Sequence, residues 1–135
     1  MMHIVFGYLT IFGSLVILDA IWILGFARSF YKGQIGHLMA VSPQWTPVVI
    51  FYLLYAAGLL YLVVLPAFEQ RWGIGRVMLQ GAIVGLVAYG AYDLTNHATL
   101  KDWRLGMTVV DISWGVLMTA GVSGFALYIM KMVTS

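Results

Sequence analysis

Four long apolar runs, each ended by a short polar or charged cluster, organise this chain. They extend over about residues 4–27, 47–68, 74–97 and 108–130. Each supplies the roughly 20 residues needed to cross a hydrocarbon layer about 30 Å thick. In lipid a spanning segment must satisfy its own backbone N–H and C=O groups, so all four are predicted to be α-helices. The expected fold is all-α: a polytopic membrane protein with residues 1–135 forming one small bundle of four transmembrane helices. Met1-Met2-His3 lacks the positive stretch of a secretory signal, so the first run is read as a retained helix.

Polar residues mark the ends of the runs. Arg28 and Lys32 close the first, and Thr46-Pro47 opens the second as an N-cap with proline at the first helical position. Pro66 and Glu69-Gln70-Arg71 close the second, Lys101-Asp102-Trp103-Arg104 separates the third from the fourth, and Lys131 ends the fourth. The longest connection, 28–46, mixes Phe30, Tyr31, Ile35, Leu38 and Met39 with Lys32, Gln34 and His37. Such a mixture predicts a short helix lying on the membrane surface or an ordinary loop. Basic residues give no orientation: Arg71, Arg76 and Lys131 fall on one face, and Arg28, Lys32, Lys101 and Arg104 on the other.

Composition strengthens the membrane reading. Of the 135 residues, 62% are hydrophobic and 9% charged, against roughly 25% charged in soluble domains. A soluble fold of this length has too much surface to hide that excess. The absence of Cys excludes thiolate chemistry, and the net charge of +2, with no basic run, excludes nucleic acid as an expected partner.

Candidate chemistry lies in three acids within the apolar runs: Asp19, Asp93 and Asp111. Each costs about 2.5–3.5 kcal/mol at a helix centre on insertion scales, which is normally tolerated only where the side chain faces the bundle interior or water. Asp19 lies nine residues before Arg28, Asp93 eight before Lys101, and Asp111 seven after Arg104. At 1.5 Å per residue all three sit roughly 10–14 Å below the same membrane face. Facing inward, they would define one acidic pocket. Residues at helical spacing would join them: Trp22 beside Asp19, Trp114 beside Asp111, and Tyr89, Asn96 and His97 beside Asp93. Tyr52 and Tyr55 of the second run lie at a similar level. The candidate ligand-binding set is Asp19, Trp22, Tyr55, Tyr89, Asp93, Asn96, Asp111 and Trp114; no catalytic residue is singled out. Such a lining suits a polar or cationic head on an apolar body. The competing reading is structural, with each Asp bonded to Trp, Tyr, Asn or Thr, or paired with Arg28 or Arg104 snorkelling inward.

Other signals are weaker. Gly81 and Gly85 form a Gly-xxx-Gly pattern that permits close helix approach, within the bundle or between copies. Asp93 and His97 could supply two metal ligands, but no second His falls in the apolar core, so neither a metal nor a cofactor is expected. Trp45 and Trp103 read as interface anchors. The Asp-x-x-Trp patterns at Asp19 and Asp111 lie on antiparallel helices, so duplication does not explain them.

Leu18-Asp19-Ala20-Ile21-Trp22, Phe51-Tyr52-Leu53-Leu54-Tyr55, Tyr92-Asp93-Leu94-Thr95-Asn96 with Ala98-Thr99-Leu100, and Val110-Asp111-Ile112-Ser113-Trp114-Gly115 together resemble the landmarks of a bacterial membrane-protein family. It is the family filed as domain of unknown function two-one-seven-seven. The resemblance covers nearly the whole chain and implies a small bacterial protein with about four spans and no defined activity. His97 departs from the apolar residue more usual there, which weakens a metal reading further.

These readings predict a multi-pass protein of a bacterial inner membrane with lipid as a partner. Self-association as a homodimer is also expected, because four short helices enclose little volume. The leading functional expectation is binding or handling of an amphipathic small molecule or lipid in the acidic, aromatic pocket. Alternatives are a proton-coupled transporter of cationic compounds, a lipid-modifying enzyme, and a structural subunit of a membrane complex.

Overall fold

The computed structural model of the protein describes residues 1–39 and 44–134. Among these there is no strand, and four helices are long and apolar enough to cross a membrane: α1 Met2–Leu38, α2 Trp45–Glu69, α3 Ile74–Thr99 and α4 Leu105–Thr134. Apolar residues point outward all round. Leu24, Leu54, Tyr61 and Leu117 are each at least two-thirds exposed. A surface of that kind is stable against lipid, not water.

α1 is longer than its apolar run. Arg28 marks where charge begins, yet Arg28–Ile35 continues the same helix, joined to Met2–Trp22 through a π-helical segment, Ile23–Ala27. The stretch read as a surface helix or loop is therefore mostly a helical continuation of the first span; residues 40–43 of that connection lie outside the described residues. No proline interrupts 23–35, and a charged side chain ends contact with hydrocarbon without ending the helix. The buried positions of α1 fall every four residues: Gly7, Ile11, Leu15, Asp19, then Ala27 and Ile35. An α-helix turns every 3.6 residues, so this stripe drifts sideways. The wider π turn absorbs an extra residue and offsets part of that drift.

α2 begins at Trp45 with Gln44 as its N-cap and no side-chain cap. Thr46-Pro47 therefore falls inside the first turn, where missing N–H partners make proline harmless. Pro66 does not stop the helix either. Lacking an N–H for the carbonyl four residues earlier, it follows directly on a second π segment, Leu60–Val64, which absorbs the irregularity. Left-handed backbone at Arg71 (φ 56°) and Asp102 (φ 67°) reverses the chain in the two short turns.

α3 and α4 form the closest pair, and α4 also packs along α1. Small residues make this possible. A Cβ on Gly85 would lie 2.5 Å from the Gly115 carbonyl oxygen, and one on Gly81 2.9 Å from that of Thr119. The Gly-xxx-Gly stripe is thus used inside the bundle, against α4. Below it lies a dry core that includes Ile11, Leu15, Leu59, Val63, Val122 and Leu127. Trp103 is buried with Ile35 and Met107, and its indole N–H donates to Thr108 Oγ1 at 3.0 Å. It pins the α1 extension to the start of α4; it is no interface anchor. Trp45, at the start of α2, is two-thirds exposed.

Candidate functional site

The three acids all face inward: Asp19 and Asp111 are 8% exposed and Asp93 is 0%. Neither Arg28 nor Arg104 reaches them. Among the described residues the one ion pair is His37–Asp102 at 3.7 Å, between exposed side chains, and an exposed pair of that kind adds little stability.

The acids are held by phenols and indoles instead. Asp19 accepts from the Tyr52 hydroxyl through one oxygen and from the Trp114 indole N–H, at 2.8 Å, through the other. Asp111 accepts from the Tyr31 hydroxyl at 2.6 Å, and Tyr31 in turn accepts from the Trp22 indole N–H at 3.1 Å. The two indoles lie parallel, 4.5 Å between centroids and 5° between planes. One network therefore runs from Tyr52 through Asp19, Trp114, Trp22 and Tyr31 to Asp111, tying α1, α2 and α4 together. Hydrogen bonds to charged acceptors are worth about 1.5–3 kcal/mol each, enough to offset much of the cost of burying a carboxylate.

Asp93 is different. Neither of its oxygens receives an N–H or O–H among the described residues. Its acidic neighbour is Asp111. A fully buried carboxyl group beside another acid, with no donor of its own, is among the described residues the one polar side chain of the site left without compensation.

Beside these groups is a cavity of about 310 Å³. Asp19, Trp22, Tyr31, Tyr52, Asp111 and Trp114 line it, with Phe51, Ala88, Tyr89, Tyr92 and Ile23 completing the wall. No Lys or Arg is among its lining residues. Tyr89 is fixed by α4: its ring packs so closely on Gly115 that any Cβ there would collide with it.

Of the residues expected from sequence, Asp19, Trp22, Tyr89, Asp111 and Trp114 line this cavity. Asp93 stands behind Asp111, outside the lining. Tyr55 bonds Thr119 Oγ1 at 2.8 Å and faces a neighbouring groove; its place at the acids is taken by Tyr52. Asn96 is not among the residues that line the cavity. His97 lies 3.3 Å from Thr108 Oγ1, at the turn between α3 and α4. Among the described residues no three His, Cys, Asp or Glu side chains group to hold a metal ion. Tyr31 and Tyr52 hold the acids and are both outside the candidate set; the sequence reading places Tyr52 at the right level but not Tyr31. The signal for Tyr31 was the four-residue stripe of α1, which extends from Asp19 through Ala27 to Tyr31.

The sequence profile of DUF2177, described as a predicted membrane protein, matches residues 4–128. The chain belongs to this family. The match takes in all four landmark blocks and every residue of the network. No curated protein and no solved structure matches the chain. Family membership therefore establishes a membrane protein of unknown function.

Proposed function

We propose that this DUF2177 protein binds or handles an amphipathic small molecule or lipid in the acidic, aromatic cavity, within a bacterial inner membrane. One observation carries the reading: a cavity of about 310 Å³ at membrane depth has two carboxylates, a parallel indole pair and no basic group in its wall. Intramembrane acids are costly and mark sites by default, and aromatic walls with a few convergent polar groups are what ligand pockets require. Resemblance to a bacterial family supports the location. Self-association rests only on the small volume enclosed, since Gly81 and Gly85 are occupied within the bundle.

Native mass spectrometry of the protein extracted with its own lipids tests the proposal, with wild type beside Asp111→Asn and Ala88→Phe. The acid variant removes a charge from the wall, and the second fills the cavity. The expected result is a discrete bound molecule in wild type that both variants lose. Bare protein in all three, at equal stability, would overturn the proposal in favour of a structural role.

A second reading, exchange of a cationic compound for protons, is favoured by the Asp93–Asp111 pair. On this reading a cation arriving at Asp111 displaces a proton from the two neighbouring acids. In proteoliposomes this reading requires that a lipophilic cation release protons from wild type and not from Asp93→Asn.

A further inference from the structure

A second, apolar space adjoins the cavity on the lipid side. α2 approaches α3 through its Leu60–Val64 segment, while its first half leans on α1. Between that first half and α3 runs a second groove of about 240 Å³, lined by Leu54, Gly58 and Leu62 of α2 and Val84 of α3. Phe51 lines both spaces. Unlike the cavity, the groove contains no charged side chain, and Leu54 and Leu62 are at least 60% exposed, open to the surrounding acyl chains. From Phe51 to Leu62 it follows α2 for roughly 16 Å, from the level of the acids toward the middle of the bilayer.

We propose that the occupant is a single-chain cationic amphiphile reaching the site from within the bilayer, between α2 and α3. Its head lies at Asp19 and Asp111 and its chain along the Phe51–Leu62 groove. The inference rests on the binding reading above and names the ligand class. Charge complementarity selects the head: two carboxylates without a basic partner attract a cation, and the faces of Trp22 and Trp114 favour it further. A phosphate head would meet like charge. Adjacency selects the chain, because a small hydrophilic cation would have no use for an apolar groove that is separated from the head site only by the Phe51 side chain. One slender groove of this length accommodates one chain.

Gly58 makes the inference testable. A Cβ there meets nothing within 4 Å, so a larger side chain fills the groove without disturbing the fold. Leu54→Trp, at an exposed position on the same wall, serves as the second variant. Binding of butyl-, octyl- and dodecyltrimethylammonium is measured by calorimetry with the intact protein in uncharged nanodiscs, for wild type, Gly58→Leu, Leu54→Trp and Asp111→Asn.

The expected result is that groove variants bind the butyl compound like wild type but the dodecyl compound about tenfold more weakly, the effect of one to two buried CH₂ groups. Asp111→Asn weakens the whole series alike. Equal dodecyl affinity in wild type and groove variants would overturn the groove assignment and leave the cavity reading standing. So would a groove variant that changes the oligomeric state and not the affinity, since the groove would then be a face for a second copy. Failure of the whole series on wild type would overturn the cation-head assignment; a discrete, differently charged molecule in the mass spectra would preserve the cavity reading, and its absence would end both.

Discussion

The two halves of the bundle are built on opposite principles. Toward the turn between α2 and α3 the helices close on one another through Gly81 and Gly85, and the interior is filled and largely apolar, with Thr119 and Ser123 its buried polar side chains. Toward the ends that carry Tyr31, Gln44 and Arg104 the interior holds three acids, a chain of phenols and indoles, and a cavity. Lipid is as apolar as leucine, so burying apolar side chains gives these helices little reason to associate; close van der Waals contact does. The dry half supplies that contact. The polar half contributes specific hydrogen bonds and an open volume, at the cost of buried charge. The contrast teaches that one half holds the helices in place so that the other can stay hollow.

Breaking the dry half should have the largest effect. Gly85→Leu drives a side chain into the Gly115 backbone, and the melting curve in detergent should show destabilisation at the upper end of the about 1–3 kcal/mol typical of overpacking. Gly58→Leu, in open space, should leave the same curve unchanged. If both glycines tolerate leucine, close α3–α4 contact is not what holds the bundle.

Next comes the polar half. Tyr31→Phe removes the donor to Asp111 and should cost about 1.5–3 kcal/mol. Hydrogen exchange should then show the Arg28–Ile35 segment opening while the Gly81–Ser123 contact region stays protected. Uniform loosening would instead mean that the halves are not separable.

Asp93→Asn should act in the other direction. In the wild type neither Asp93 oxygen has a partner among the described residues; an uncharged amide there can donate to the neighbouring Asp111, raising stability by about 1 kcal/mol. A purely structural acid would instead be destabilised by the change, and chemical denaturation in mixed micelles distinguishes the two. A gain in stability would be the signature of a group retained for function. Smallest is Arg71→Gly. Relief of the left-handed backbone at φ 56° should stabilise the α2–α3 turn by about 0.5 kcal/mol, read as a slight rise in melting temperature.

Asp19, Asp93 and Asp111 were legible as an inward-facing set because a carboxylate in an apolar run has few tolerable directions, and counting from the flanking cations fixed their depth. Trp22, Trp114 and Tyr89 followed from helical spacing. Tyr31 was not legible as a site residue: Arg28 and Lys32 signal departure from hydrocarbon, and only the path of the continuing helix returns Tyr31 to Asp111. Tyr52 and Tyr55 lie almost a turn apart, and the rotation of α2 against its neighbours, which no spacing rule supplies, decided which one meets Asp19.

By itself, then, the sequence determined that the chain crosses a membrane four times as helices and carries acids inside one half of it. Both follow from local transfer free energies, which depend on residue type and run length alone. Tertiary structure decided which donors satisfy which acid, that Asp93 is left with another carboxyl for company, and that a hollow remains beside them. Those outcomes depend on how four cylinders rotate and lean against each other. Glycines at the α3–α4 contact and the π turns at Ile23–Ala27 and Leu60–Val64 set that geometry through contacts between residues far apart in the chain.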